Sequence, residues 1–323
     1  MSELHRFLFD GLPVRGALVR LGEGWAEVLR RRASNSDTGP YPVPVRDMLG
    51  EMLAAATLMQ SNIKFDGALV LQIFGDGPVQ VAVVEVQSDL AFRATATVVG
   101  ALPPTLSLSQ MINASQLGRC AITLDPKTKF PGQQPYQGVV SLQDEHGRSQ
   151  EQLAAVLEHY RLQSQQLETT LVLAADASEA AGLLIQRLPV QGPNIVATGI
   201  APVDAEDAYR RIALLAHSLQ RDDLLRLDAT TLLRRLFWEE NLTRFAPAQG
   251  ELAPRFSCGC SRDRVGRMIH GLGQAEVQAI LAERDQIEVG CEFCGTQYRF
   301  DAIDAAQIFL SGVSTGGDGA APH

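Results

Sequence analysis

Four of the five cysteines in this 323-residue chain lie in two short clusters towards its C-terminal end. Cys258 and Cys260 stand one residue apart in FSCGCSRDR, and Cys291 and Cys294 stand two residues apart in GCEFCG. A CxxC on a turn between two short strands is typical of a zinc knuckle, and a second thiol pair completes the tetrahedral sulfur shell that Zn²⁺ favours. We therefore predict that these four thiolates bind one Zn²⁺ ion.

Two other residues are weaker candidates for the same chemistry. His270 lies between the clusters, but four sulfurs already fill a tetrahedral shell, so we do not expect it to bind the ion. Cys120 stands alone in the strand-like run LGRCAITLD. We expect it to be a buried, small apolar residue with no redox role.

Beyond a purely structural role, the cysteine segment is compatible with three functions, of which two meet objections in the sequence. A nucleic-acid-binding zinc ribbon would use Arg262, Arg264 and Arg267, but residues 255–315 hold six arginines against eight carboxylates, so phosphate binding would have to be local. A thiol oxidoreductase would use Cys291 and Cys294. Such a motif normally opens a helix, whereas the TQYRF that follows predicts a strand.

The third function is an oxidant-sensitive switch. Metal-bound thiolates are deprotonated and therefore react with peroxide or hypochlorous acid. Each cysteine pair is spaced for a local disulfide, Cys258 with Cys260 and Cys291 with Cys294, and a disulfide sulfur is a poor zinc ligand. A segment of about 60 residues has little core of its own, so losing the metal should unfold it.

The elements upstream predict an α+β domain. Residues 15–22 predict a strand and residues 23–33 a short helix, and the apolar spacing in VRDMLGEMLAAATLMQSNI predicts an amphipathic helix over 45–63. Two apolar runs flanking GDGP predict a hairpin. Further strand candidates and one more helix, 149–164, follow without regular βα alternation. They are AFRATATVVG, CAITLD, YQGVVSLQ, TTLVLAAD and AAGLLIQRLPV.

After a Gly- and Pro-containing stretch, QGPNIVATGIAPVDAED, the composition changes to helix formers. We predict domains at 1–195, a helical linker at 196–250, a zinc-binding domain at 251–311 and a disordered tail at 312–323. The linker helices are too short to be stable alone, so their apolar faces must cover a patch on the first domain. Those faces, which we call the latch, comprise Ile212, Leu215, Leu219, Leu232, Leu236 and Phe237. Asp228 and Ser261 are expected to cap the helices that follow them.

The remaining composition excludes several classes of protein. The net charge of −9 argues against a broad basic face for nucleic acid. No apolar run approaches the ~20 residues that span a bilayer, and MSELHRFLFDGL does not read as a secretory signal. We therefore expect a cytoplasmic protein without membrane contact. No phosphate-binding loop is evident, so we expect no ATP dependence.

Several segments of the sequence, including both cysteine pairs, resemble a known protein family. The pairs CGCSR and CEFCG look like the C-terminal signature of heat shock protein 33, the redox-regulated heat-shock holdase. FDGLPVRGALVRL, LGEMLAAATLMQSNIKFDGALVLQIFGDGPVQVAVVE, YQGVVSL, AAGLLIQRLPV and LLRRLFWEENLTRF resemble the family in the same order. The resemblance covers about residues 5 to 310.

The resemblance implies an ATP-independent chaperone rather than an enzyme. The zinc-bound, reduced form would be inactive or weakly active. Oxidation of the four cysteines to two disulfides, first in the CxxC pair and later in the CxC pair, would release zinc and unfold the zinc domain and linker. The protein would then tend to form a homodimer and hold unfolding client proteins against aggregation.

Overall fold

The computed structural model describes residues 2–35, 38–130, 132–189 and 202–310. The chain divides into two compact units, the first ending at Ser257 and the second beginning at Cys258. The predicted tail, 312–323, and most of the predicted boundary segment, 191–207, lie outside the described residues. None of the described helices is long and apolar enough to cross a membrane.

The first unit combines strands and helices. Its described strands are β1 (Ser2–Phe9), β2 (Val14–Leu21), β3 (Gly67–Phe74), β4 (Val79–Gln87), β5 (Ala91–Val98), β6 (Arg119–Pro126), β7 (Tyr136–Ser141), β8 (Thr169–Ala175), β9 (Ala180–Arg187), β10 (Leu242–Arg244) and β11 (Arg255–Phe256). Its described helices are α1 (Gly22–Ala33), α2 (Val43–Ser61), α3 (Leu108–Ile112), α4 (Leu153–Gln165), α5 (Pro202–His217), α6 (Arg221–Arg226) and α7 (Ala229–Leu236).

These strands form two sheets. The first sheet has the order β10-β1-β2-β9-β8 and the second the order β11-β5-β4-β3-β6-β7. All of these neighbours are antiparallel except β11 and β5, which are parallel. Short turns join the paired consecutive strands β1–β2, β4–β5 and β8–β9, and the GDGP hairpin joins β3 to β4 as predicted. Antiparallel sheets with interspersed helices confirm the α+β class.

Helix α2 contacts strands of both sheets and is buried on nearly every side. The spacing of its apolar residues predicts one apolar face, and this part of the prediction is wrong. Small residues allow the close packing: a Cβ added at Gly50 would lie 2.4 Å from the Cβ of Ala175. The buried hydroxyl of Thr57 donates to the Leu53 carbonyl at 2.8 Å, so no polar group is stranded there.

Helices α5 to α7 pack on the other face of the first sheet. Residues on that face of β2, such as Leu18, alternate with residues that face α2, such as Val19. The Phe237 ring, at the end of α7, meets Phe9 edge to face at 5.0 Å and lies 6.3 Å from Phe7. The first sheet is therefore buried on both sides.

The structure places the whole latch against this sheet. Ile212, Leu232, Leu236 and Phe237 are buried. Leu215 and Leu219 are partly buried and pack against the same cluster. Asp228 caps α7 as predicted, because its carboxylate accepts from the N–H groups of Thr230 and Thr231 at 3.0 Å each.

Arginine contacts fix the short helix α6 to the first sheet. Arg20 of β2 donates to the carbonyls of Leu225, at 2.9 Å, and Leu227. Arg221, at the start of α6, donates to the Ala175 carbonyl of β8 and pairs with Asp47 of α2. Buried apolar contact and hydrogen bonds to main-chain carbonyls therefore hold this layer together.

The second unit is much smaller. It contains α8 (Arg262–Leu272), α9 (Gln274–Glu283), β12 (Ile287–Gly290), β13 (Gln297–Phe300) and α10 (Ala302–Leu310). β12 and β13 form an antiparallel pair. Among the described residues, its buried apolar core comprises Ile269, Val277, Ile287, Phe300 and Ala305. A core of this size gives so small a unit only marginal stability.

We expect Phe237→Ala to lower the free energy of unfolding by about 3–5 kcal/mol, because a buried ring in contact with two others is removed. Urea denaturation of the reduced protein, followed by circular dichroism, measures this. Trp238→Ala is the matched control, since Trp238 is the next residue and is 74% exposed. Its effect should stay within about 0.5 kcal/mol, and equal losses in the two variants would contradict the packing described here.

Candidate metal centre

The structure brings the four predicted thiol ligands to one point in the second unit. Cys258 and Cys260 precede α8, and Cys291 and Cys294 lie in the turn between β12 and β13. The four Sγ atoms all lie within 4.8 Å of one another. Two segments about thirty residues apart therefore meet through their sulfurs.

Backbone hydrogen bonds shape the turn that carries the CxxC pair. The N–H of Cys291 donates to the Thr296 carbonyl at 2.9 Å, and the N–H of Gly295 donates to the Cys291 carbonyl at 2.8 Å. Gly295 has a φ of +70°, a conformation that favours glycine. Gly295 therefore lets the turn that carries the CxxC pair close.

The CxC pair is held at the start of α8. Ser261 caps this helix as predicted, and its Oγ accepts from the Arg264 N–H at 3.2 Å. The Arg264 side chain reaches back to the Gly259 carbonyl at 3.4 Å. These contacts fix the loop that presents the sulfurs of Cys258 and Cys260.

The spacing of the sulfurs fits a tetrahedral ion. Zinc–sulfur bonds of about 2.3 Å imply sulfur–sulfur distances of about 3.8 Å. The Sγ atoms of Cys258 and Cys291 are 3.7 Å apart, and those of Cys260 and Cys294 are 3.2 Å apart. Four soft sulfur donors at these distances suit a thiophilic metal ion.

The pKa values of the clustered thiols also favour a bound cation. Burial raises the pKa of Cys291 to about 12 and also raises the pKa of Cys260. Burial opposes ionisation of Cys294 too, but the hydroxyl and N–H of Thr296 favour its thiolate and bring its pKa to about 6. Without a metal, these thiols cannot all ionise near neutral pH, and a bound cation would compensate their charge.

A hydrogen bond from the second strand also reaches the cluster. The phenol of Tyr298 donates to the Sγ of Cys260 at 3.1 Å. Such outer contacts orient thiolate ligands and support their negative charge. Tyr298 was not predicted as a sulfur partner. The one relevant signal in the sequence was its position on a predicted strand, four residues after Cys294.

The two weaker candidates lie apart from the sulfurs. The exposed His270 ring stacks on Phe309, with centroids 5.1 Å apart, and is not among the clustered groups. Cys120 is fully buried on β6, as expected, where burial raises its pKa to about 12. A thiol in this state is a packing residue.

Arg262, the arginine closest in sequence to the CxC pair, makes structural contacts. Arg262 pairs with Asp304 at 2.7 Å, donates to the Arg299 carbonyl at 2.7 Å and stacks over the Phe300 ring. Its charge is therefore used inside the unit. This arrangement does not favour a phosphate-binding surface.

We expect wild-type protein to bind about one metal ion per chain. Cys258→Ser and Cys291→Ser each remove a ligand and should lower metal affinity by more than the roughly 10–100-fold that follows loss of a hydrogen bond to a ligand. Elemental analysis and competition with a chelator measure this. Cys120→Ser is the control and should retain its metal; loss of metal in that variant would contradict the assignment.

Comparisons with known proteins agree along nearly the whole chain. A family model described as Hsp33 protein matches residues 2–301. A 33 kDa chaperonin of Methylobacillus flagellatus is 40% identical over 314 residues, covering 97% of this chain and 96% of that protein. A 33 kDa chaperonin of Chromobacterium violaceum is 41% identical over 308 residues, covering 95% and 94%.

A solved structure shares the fold. The crystal structure of the 33 kDa chaperonin from Thermotoga maritima matches with a TM-score of 0.70 and covers 96% of this chain and 99% of that chain. Its identity is 18%, so this likeness shows the fold alone. The family model and the 40% identical relative, by contrast, span the strands, helices and cysteines described above, and on that evidence this chain belongs to the Hsp33 family.

Proposed function

We propose that this protein is a redox-regulated, ATP-independent holdase chaperone whose switch is the thiol cluster. The single observation that carries the proposal is the meeting of four cysteine sulfurs within 4.8 Å in a unit with a very small buried core. Membership of the Hsp33 family and relatives named 33 kDa chaperonin support it.

The bound metal in this proposal is Zn²⁺, held by Cys258, Cys260, Cys291 and Cys294. Zinc favours tetrahedral sulfur coordination and has no redox chemistry, so the thiolates alone would respond to an oxidant. When bound, the ion supplies positive charge that keeps all four sulfurs deprotonated. A structural zinc site of this kind contributes roughly 10–16 kcal/mol in small peptides.

Oxidation would convert the ligands to two local disulfides. One thiolate attacks an oxygen of hydrogen peroxide, breaks the O–O bond and becomes a sulfenic acid as hydroxide leaves. The neighbouring thiolate attacks that sulfur, forms the S–S bond and expels a second hydroxide. Each pair gives two electrons to one peroxide, first Cys291 with Cys294 and later Cys258 with Cys260.

The structural consequence follows from the size of the second unit. Disulfide sulfurs bind zinc poorly, so the oxidised loops would no longer hold the ion. The remaining buried core, five residues among those described, cannot replace the lost binding energy. The zinc-binding domain, which we place at 251–311, would unfold.

The linker, which we place at 196–250, would then leave the first sheet. Its helices α5 to α7 cover an apolar face that includes Phe7, Phe9, Leu18 and Ile185. Removing this cover exposes apolar residues on both the sheet and the latch. Contiguous apolar surface of this kind binds other proteins, and we assign the holding of unfolded clients to it.

Several partner properties belong to the same proposal. The oxidised protein would form a homodimer through newly exposed apolar surface, work in the cytoplasm and act without ATP or catalysis. The net charge of −9 is compatible with the absence of nucleic acid among its partners. A first domain at 1–195 would carry the client-binding surface.

The direct test combines zinc release with chaperone activity. A colorimetric chelator follows zinc during peroxide treatment at raised temperature, while light scattering follows aggregation of a denatured client. We expect suppression of aggregation to rise as zinc leaves, and both to reverse partly on reduction with zinc present. Full zinc release without any gain in suppression would overturn the proposal.

Phe237→Ser should make the reduced, zinc-loaded protein active as a holdase, because it weakens the contact of α7 with Phe7 and Phe9. We expect at least about half of the suppression shown by oxidised wild type. Loss of the buried ring costs several kcal/mol and strongly disfavours the state in which helices α5 to α7 cover the first sheet. Light scattering measures it. Trp238→Ser serves as the control and should remain inactive until oxidised; an inactive Phe237→Ser protein would count against the latch.

A further inference from the structure

The edge of the second sheet is covered by a very short strand of the same chain. β11 is two residues long and pairs with only the first two residues of β5, Arg255 with Ala91 and Phe256 with Phe92. The N–H of Arg255 donates to the Leu90 carbonyl at 3.2 Å, and the N–H of Ser257 donates to the Phe92 carbonyl at 2.9 Å. The chain thus occupies a strand position that it fills only in part.

The side chains of β11 fit two chemically distinct places beside β5. The Arg255 guanidinium binds the Asp89 carboxylate at 2.5 Å and the Asp89 carbonyl at 3.0 Å. The Phe256 ring lies under the Arg31 guanidinium, 4.9 Å from its centroid. The site beside β5 therefore offers an acidic partner for a basic side chain. Next to it, an aromatic ring can stack on an arginine guanidinium.

Gly24 of α1 leaves room for the backbone of a strand beside β5. A Cβ added at Gly24 of α1 would lie 2.5 Å from the Phe92 ring and 3.5 Å from the Phe256 nitrogen. Without a side chain at Gly24, the backbone of β11 passes between α1 and β5. A cleft of about 320 Å³ continues beside it, and its lining includes the acidic residues Glu23 and Glu27.

A hydrogen bond to a side chain limits strand pairing near the C-terminal end of β5. The Tyr41 hydroxyl accepts a hydrogen bond from the Ala96 N–H at 3.0 Å, which takes that backbone group out of strand pairing. Among the described residues, β11 pairs only as far as Phe92. Pairing with an incoming strand is therefore limited to residues of β5 before Ala96, and Ala91 and Phe92 carry the pairing seen with β11.

β11 is placed to leave this position when the second unit unfolds. Only Ser257 separates Phe256 from Cys258, where the second unit begins. Both partners of the Arg255–Asp89 ion pair are substantially exposed, so solvent weakens it. A two-residue strand that continues into an unfolded chain becomes a frayed end.

We propose that the β5 edge vacated by β11 binds extended client segments in which a basic residue is followed directly by an aromatic one. The inference rests on the proposed function for the step that vacates the edge. Unfolded proteins offer free main-chain N–H and C=O groups, and an open strand edge pairs with them. The chain's own Arg255–Phe256 shows which side chains the neighbouring residues accept.

The probe is a fluorescein-labelled peptide of residues 251–257, ELAPRFS, titrated with full-length protein and followed by anisotropy. We expect oxidised, zinc-free protein to bind it at least about tenfold more tightly than reduced, zinc-loaded protein, in which β11 holds the position. Arg255→Glu places like charges opposite each other at Asp89 and should open the edge in the reduced protein by a similar factor. Arg284→Glu is the control, because it makes the same charge change at an exposed arginine elsewhere.

A charge exchange tests the contact itself. Asp89→Arg should reverse the preference, so that the peptide ELAPEFS binds more tightly than ELAPRFS, whereas oxidised wild type prefers ELAPRFS. General loss of structure would not reverse a preference. Equal binding of ELAPRFS to reduced wild type and Arg255→Glu, or an unchanged preference in Asp89→Arg, would overturn the inference.

The two proposals fail in different ways. If oxidised protein suppresses aggregation but shows no preference between the peptides, the β5 site is wrong and the holdase function stands. If Arg255→Glu binds the peptide while oxidation gives neither zinc release nor suppression, the site stands and the redox function is wrong.

Discussion

The cost of ionising four clustered and partly buried thiols is the physical constraint on the chemistry of the second unit. Burial raises the pKa of Cys291 and Cys260, so without a bound cation these two thiols stay protonated at neutral pH. A metal ion must displace those protons before the sulfurs can bind it. With a cation, two loops about thirty residues apart are tied together beside a core of few residues. Under the proposed function, the folding of this unit and the ionisation of its cysteines would be coupled through the bound metal.

The first unit has the opposite balance. Helix α2 is buried between two sheets, and the first sheet is covered on its other face by helices α5 to α7. Much apolar surface is removed from water there without any metal. Under the proposed function, the second unit would unfold while the first stays folded, which is the property that a reversible switch requires.

Much of the fold was predictable because local patterns and tertiary packing agree. The spacing of Met48, Leu49 and Met52 predicted α2, and the cysteine spacing predicted the thiol cluster. The burial of α2 on all sides was not predictable, since it depends on both sheets. The strands β1, β10 and β11 were missed: β1 carries charged residues among its apolar ones, and the other two are short and owe their conformation to their partners. Tyr298 was missed because a lone tyrosine on a strand gives no sign of a sulfur partner.

Hydrogen–deuterium exchange of reduced protein, with and without bound metal, measures whether the second unit needs the ion to fold. We expect removal of the metal to abolish protection in residues 258–310, including β12 and β13, while β2 and β9 keep theirs. Unchanged protection of β12 and β13 in the metal-free protein would contradict this expectation, because the second unit would then fold without the ion.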